Sequence, residues 1–182
     1  MKKQILLLSR KGFTLIELLI VIAILGIMAA ALIATVDPFE QVRKAQDTSL
    51  KDKTVEFLNA NVRYYTTHNA LPWFSLANGG ANCYTGGNTI ATVALSSLST
   101  CITTLTGDGE LKQGFINSSN MNLVTVTNPN PQTNNSVDTI VCFMPQSKSQ
   151  QLDSNTRFNQ NGTTGTNCKA TGGTNSCYWC AQ

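Results

Sequence analysis

The sequence predicts an α+β chain in which a long N-terminal helix carries a small antiparallel sheet packed on its second half. Three observations predict it. Residues 13–36 form an apolar run broken only by Glu17. Residues 37–69 then alternate apolar and polar positions at helical spacing. Beyond Pro72 the composition turns to Asn, Thr, Ser and Gly, with two β-rich runs at 123–127 and 139–144.

The apolar run contains no Lys, Arg, Asp, His, Asn, Gln or Pro. At about 1.5 Å per residue a helix of this length crosses a hydrocarbon core of roughly 30 Å. The residues before it form a short basic leader whose apolar piece is confined to 5–8. Lys2, Lys3, Arg10 and Lys11 hold that leader on the cytoplasmic side and send the rest of the chain outward. Glu17 is the informative residue, because an ionised side chain within a membrane segment costs on the order of a few kcal/mol and marks function by default. The nearest cations, Arg10 and Lys11, lie up to two helical turns back. A partner is therefore expected from outside the segment; the plainer reading is a carboxylate that snorkels to the headgroups.

The stretch Gly12-Phe13-Thr14-Leu15-Ile16-Glu17-Leu18-Leu19, preceded by Arg10-Lys11, resembles the processing and assembly signature of the type IV pilin family. The resemblance implies that a prepilin peptidase cuts after Gly12 and N-methylates Phe13. It implies that Glu17, the fifth residue of the mature chain, meets the N-terminal amine of a neighbouring subunit. That pairing supplies the missing partner, since both charges lose hydration in a dry filament core. The implied organisation is a leader (1–12), a transmembrane and filament-core half-helix (13–36), and a head (37–182) that includes the amphipathic half-helix (37–69), together a type IV pilin-like fold. The implied life history starts as a signal-anchored precursor in the inner membrane with its N-terminus in the cytoplasm. It ends as a homo-oligomeric extracellular filament raised by an inner-membrane assembly platform and serving adhesion, motility or uptake. The alternative within the resemblance is a pseudopilin of type II secretion or competence. Gly26 and Pro38 would bracket a stretch of helix that loosens on assembly, although glycines are also ordinary in membrane helices. A competing reading is a conventional signal peptide cut after Ala29-Ala30-Ala31, leaving a secreted protein that starts near residue 32.

In Asp37-Pro38-Phe39-Glu40 the chain restarts a helix: Asp37 suits the N-cap, Pro38 the first helical position, and Glu40 the acid of a capping box. Asp52, Glu56, Asn59 and Arg63 then make a polar face, with Leu50, Phe57, Leu58 and Tyr65, flanked by Val55 and Val62, expected opposite. Glu40 with Lys44, and Asp47 with Lys51, read as surface i,i+4 pairs. The helix is expected to end near His68 and Asn69, ahead of Pro72, with His68 beside the C-terminal dipole. Leu95, Leu98, Ile102 and Leu105 predict a short helix from about Thr92 to Thr106, closed by Gly107-Asp108-Gly109, with a further turn over 110–115. Strands at 123–127 and 139–144 flank a turn at 128–136; a polar tail spans 146–174, and a last strand lies at 177–180.

Composition narrows the function further. Thirteen cations stand against ten anions, and loss of the leader leaves nine against ten, a nearly neutral chain with no basic stripe for nucleic acid. Cys83, Cys101, Cys142, Cys168, Cys177 and Cys180 all lie in the outward portion, as disulfides in an oxidising compartment do. Six cysteines allow about 15 connectivities and sequence alone does not choose among them; the pairing preferred here joins Cys83 with Cys101 and gathers the other four near the C-terminus. Cys177-Tyr178-Trp179-Cys180 has redox CxxC spacing, yet only two residues follow to build the helix such a site needs. A zinc site from the last four cysteines lacks paired knuckles, so no metal is expected. Three Asn-X-Ser/Thr acceptor matches occur, at Asn117, Asn134 and Asn161. One histidine and scattered acids offer no acid–base pair, so no enzymatic activity and no cofactor are expected. Major pseudopilins of type II secretion resemble this N-terminus and often carry a late acidic calcium loop, whereas here Asp153 is the sole acid after Cys142, a departure that counts against the secretion reading without excluding it.

Overall fold

The computed structural model describes residues 12–35, 37–128 and 138–182. The chain divides into two compact units, with the boundary after Pro38. The first is helix α1 (Leu15–Thr35), in which none of Leu15–Ile33 is buried within the chain. It is long and apolar enough to cross a membrane, and its surface of Leu, Ile, Val and Ala excludes water only when lipid or other protein covers it. Residue 37 is non-helical and α2 (Pro38–His68) starts at the proline, whose fixed φ and missing donor suit a first helical turn.

The buried face of α2 is Asp47, Leu50, Thr54, Phe57, Ala60, Asn61 and Tyr64, a stripe spaced mostly three and four residues apart. It corrects the expected apolar face: Leu58 and Tyr65 are half-buried, and Val55 and Val62 face solvent. The stripe includes the polar members Asp47, Thr54 and Asn61. Thr54 and Asn61 turn inward because each donates to a carbonyl of the preceding turn, Leu50 (2.8 Å) and Phe57 (2.7 Å). The helix closes on Asn69, whose φ of 54° is the left-handed conformation asparagine tolerates at a helix end.

The chain then dives rather than looping outward. Leu71, Trp73 and Phe74 are buried, and the turn is tied by Phe74 N–H to Leu71 O (3.0 Å) and Ala81 N–H to Pro72 O (3.0 Å). Gly80 fits because a Cβ there would lie 2.2 Å from the Phe74 carbonyl oxygen.

Four strands form one antiparallel sheet in chain order: β1 (Ile90–Ala94), β2 (Val124–Asn128), β3 (Ile140–Phe143) and β4 (Trp179–Ala181). The central pair has the expected partners, with Val124 opposite Phe143 and Val126 opposite Val141. Strand β1 has no counterpart in the sequence pattern, and it corrects the start of the next helix. Residues 92–94 are strand, 95–98 a 3-10 turn, and α3 runs only from Ser99 to Gly107. A bulge between Ile90 and Val93 carries Thr92 at a φ of 145°, with the Thr92 and Thr127 hydroxyls 2.9 Å apart. The extra residue breaks the period-two alternation by which a strand is read. The turn expected near 110–115 is a 3-10 segment at Gln113–Asn117, and β4 begins two residues later than expected. The tail holds a short helix α4 (Lys148–Gln151), and most of the turn expected at 128–136 lies outside the described residues.

Leu50, Phe57 and Tyr64 of α2 share one core with Trp73, Leu95, Leu98, Ile102, Leu105, Val124, Val126, Val141 and Phe143. The sheet is thus covered by the amphipathic helix. A polar clamp secures the junction. Asp47, fully buried, accepts from Gln146 N–H (2.9 Å), Ser147 N–H (2.8 Å) and Ser147 Oγ (2.6 Å), while Glu40 accepts from Lys148 N–H (2.5 Å). Asp47 is therefore not the surface pair with Lys51 that its spacing suggests; the Lys51 ammonium instead lies 4.8 Å from the centre of the Trp179 ring.

Candidate processing and assembly site

Gly12, Phe13 and Thr14 precede the first turn of α1, are non-helical and are exposed. Phe13 is 83% exposed and a Cβ on Gly12 would meet nothing within 4 Å, so the Gly12–Phe13 bond is open to an enzyme. Peptide hydrolysis needs such access, because a bond locked in a helix must first unwind to enter an active site.

Glu17 lies one turn further on. The Thr14 N–H donates to its Oε2 (2.9 Å), the Thr14 hydroxyl donates to the same oxygen (2.7 Å), and the Glu17 N–H donates back to Thr14 Oγ1 (3.3 Å). This is a reciprocal capping box, which satisfies donors that the helix itself leaves unpaired. It revises the expectation that the segment offers Glu17 nothing. A hydroxyl and an amide hold one carboxylate oxygen, and they fix the side chain against the start of the helix. Neither group is a cation, and among the described residues Oε1 accepts no hydrogen bond. A carboxylate offers about four lone-pair sites, so the box leaves room for an ammonium. The signal for Thr14 lies in the sequence as Thr-x-x-Glu at the head of the apolar run.

Gly12, Phe13 and Glu17 therefore fall within one short stretch at the head of α1. Gly26 lies within α1, which is helical on both sides of it, and a Cβ there would meet no atom within 4 Å. Pro38 opens α2.

The cysteines belong to the second unit. They are bonded as Cys83–Cys101, Cys142–Cys180 and Cys168–Cys177. The two cysteines of the CxxC spacing are thus bound to different partners, so that spacing is not a redox pair here. Cys142 and Cys180 sit directly opposite on β3 and β4. Among the described residues no group of three or more His, Cys, Asp or Glu side chains is arranged to hold a metal ion. Asp153 accepts from Asn155 N–H (2.8 Å) within its own turn. His68 stacks on Tyr64, ring centroids 3.9 Å apart, with Nδ1 2.8 Å from the Thr67 hydroxyl.

Two other groups have displaced proton affinities. Burial pushes the Tyr64 phenol above its ordinary range, with Asp108 adding to the shift. Burial likewise lowers Lys53, whose ammonium donates to the Ser119 carbonyl (2.5 Å). Both groups lie on α2, Tyr64 against the core and Lys53 on the Ser119 carbonyl.

Compared with known families, residues 7–33 match the prokaryotic N-terminal methylation motif. No curated protein and no solved structure was found to match the chain.

Proposed function

We propose, from the match of residues 7–33 to the prokaryotic N-terminal methylation motif, that the chain is a prepilin of the type IV pilin or pseudopilin class and, within it, a structural subunit of a type IV pilus. The precursor is membrane-anchored through α1. In the proposed sequence of events the peptidase cuts at the exposed Gly12–Phe13 bond and methylates the Phe13 amine. The assembly platform then draws α1 out of the bilayer into a bundle of like helices.

The observation that carries the reading is Glu17, held by Thr14 through one oxygen and, among the described residues, open at the other, at the head of a helix whose sides are uncovered. In a dry helical bundle a carboxylate needs a charge-assisted partner, and an incoming subunit supplies one in its N-terminal amine. Pairing selects axial register, because only one stagger brings the amine to Oε1. The apolar sides supply the cohesion and the ion pair supplies the alignment. A surface pilus also suits a head closed by three disulfides, since such bridges resist unfolding outside the reducing cytoplasm.

The test is N-terminal sequencing and intact mass, without reductant, of protein from membranes and from sheared surface filaments. The expected product starts at N-methyl-Phe13 and appears in the sheared fraction. Replacing Glu17 with Ala should leave membrane insertion and cleavage intact while abolishing most filament yield. Normal yield from Glu17→Ala would refute the pairing, and a start near residue 32 would refute the filament itself, because α1 would have been discarded.

A further inference from the structure

The tight turn at 158–164 lies far along the chain from α1 and has no part in filament assembly as proposed above. Phe158 and Thr164 bridge across it, Asn159 N–H donates to Thr163 O (2.7 Å), and Gly162 N–H donates to Asn159 O (3.0 Å). Gly162 occupies the left-handed region at φ 81°, and a Cβ there would lie 2.6 Å from the Ile140 side chain. The residue before it is Asn161, exposed to solvent. Its Oδ1 accepts from Thr163 N–H (3.2 Å) and from the Thr163 hydroxyl (2.7 Å). The hydroxyl in turn accepts from Asn159 Nδ2 (3.0 Å), which polarises it.

We propose that Asn161-Gly162 is a self-modifying junction, in which this turn promotes loss of ammonia from Asn161 and converts it through a cyclic imide to an acidic residue. The Gly162 nitrogen attacks Cγ of Asn161, a Cγ–N bond forms, and the Cγ–Nδ2 bond breaks. Nδ2 departs as ammonia, its third proton being the one lost from the Gly162 amide. Water then opens the imide at either carbonyl, giving an aspartyl or an isoaspartyl linkage.

Three features of the turn support each stage. Glycine presents no side chain to obstruct attack by its nitrogen. The hydrogen bonds from Thr163 fold the Asn161 side chain back along the following peptide, as an Asx turn does, so that the reacting groups start close together. The same two donors point at Oδ1, the oxygen on which negative charge develops in the tetrahedral intermediate. The Gly162 N–H must first leave the Asn159 carbonyl and lose its proton, so the rate rises with hydroxide concentration. The chemistry needs no co-reactant beyond water. Its result is one added negative charge on a chain that, without its leader, carries nine cations and ten anions.

The experiment uses the full chain, incubated at mildly alkaline pH and mapped as the peptide between Arg157 and Lys169 after reduction. Fragmentation locates any exchange of NH2 for OH at Asn161, apart from the other Asn-Gly junction at Asn78-Gly79. The folded wild type should convert at Asn161. Thr163→Val should convert about three- to tenfold more slowly, the worth of one hydrogen bond, and Thr163→Ser should keep the wild-type rate. In denaturant, where the turn is absent, all three should convert alike, which separates the effect of the fold from that of the sequence even if a variant folds poorly. An unconverted Asn161 in the folded chain, a folded Thr163→Val as fast as wild type, or an Asn161 already blocked by a glycan on Nδ2 would each overturn the proposal.

Discussion

Tyr64 shows how a side chain chosen for packing acquires a pH signature. Its phenol is buried against the core and sits in the field of Asp108, and both effects disfavour the anion. The folded chain therefore holds the Tyr64 proton above the ordinary pKa of 10.0, whereas the unfolded chain releases it there. Protons bound by the folded state exceed those bound by the unfolded state, so this contribution to stability is present below the ordinary pKa and is lost as pH rises through the folded one. Denaturant melts taken from about pH 8 to about pH 11 should show stability falling at the alkaline end, and Tyr64→Phe should flatten that fall. Lys53, lowered by burial from 10.5, acts in the opposite sense just below that value, so the variant comparison isolates the tyrosine. A Tyr64→Phe curve parallel to wild type would show that burial does not control the phenol. At this scale sequence reveals the type of residue better than its partner. Glu17 stands out because a charge in an apolar run is costly, and its capping box with Thr14, written in the sequence as Thr-x-x-Glu, is the weaker signal, since a carboxylate there calls first for a cation. Asp47 reads as half of a surface pair with Lys51, and only the fold brings to it the amides of Gln146 and Ser147, 99 and 100 residues away.

Among elements, legibility follows periodicity. The apolar helix and the central strand pair are visible because their spacing is regular. Strand β1 is hidden twice over: its bulge at Thr92 breaks alternation, and the leucines after it extend a helical pattern backwards across it. Helix α4 has four residues, too few to show a period, and its position is set by Glu40 and Asp47 from another element. The disulfides then tie these irregular parts together, and their loop lengths make their contributions separable. Cys142–Cys180 closes 38 residues, Cys83–Cys101 closes 18 and Cys168–Cys177 closes 9. A longer loop loses more conformational freedom in the unfolded state, so removing each bridge as a double Cys→Ser variant should cost about 4, 3 and 2.5 kcal/mol in that order. Equilibrium unfolding of the three variants gives the comparison. If loss of Cys168–Cys177 proved the most damaging, the bridges would be acting through native packing rather than through loop entropy. That packing is tight at Gly165, where an added Cβ would lie 2.8 Å from both sulfurs.

For the whole molecule, hydrophobic surface and charge are partitioned along the chain, and that partition decides how an assembly should respond to salt. The apolar helix exposes Leu15, Ile16, Leu18, Leu19, Ile22 and Ile24, among others, along its length. The head has a nearly balanced set of charges, and the salt bridge between Arg63 and Glu110 (2.8 Å) is formed within one subunit. In the proposed filament, cohesion between subunits should then come from burial of α1, which salt does not weaken, and from the proposed Glu17 pair, which would lie where ions do not penetrate. Screening acts over about 10 Å at 0.1 M salt and reaches only charges exposed to solvent. The proposed filaments, once sheared, should therefore remain sedimentable as salt is raised from low to molar concentration and should release subunits when detergent supplies α1 with another apolar environment. The ratio of sedimented to soluble subunit, followed across a salt series and a detergent series, tests both halves of the argument. Filaments that dissolve in salt alone would place the binding energy in contacts between heads, and the uncovered sides of α1 would then need a different occupant.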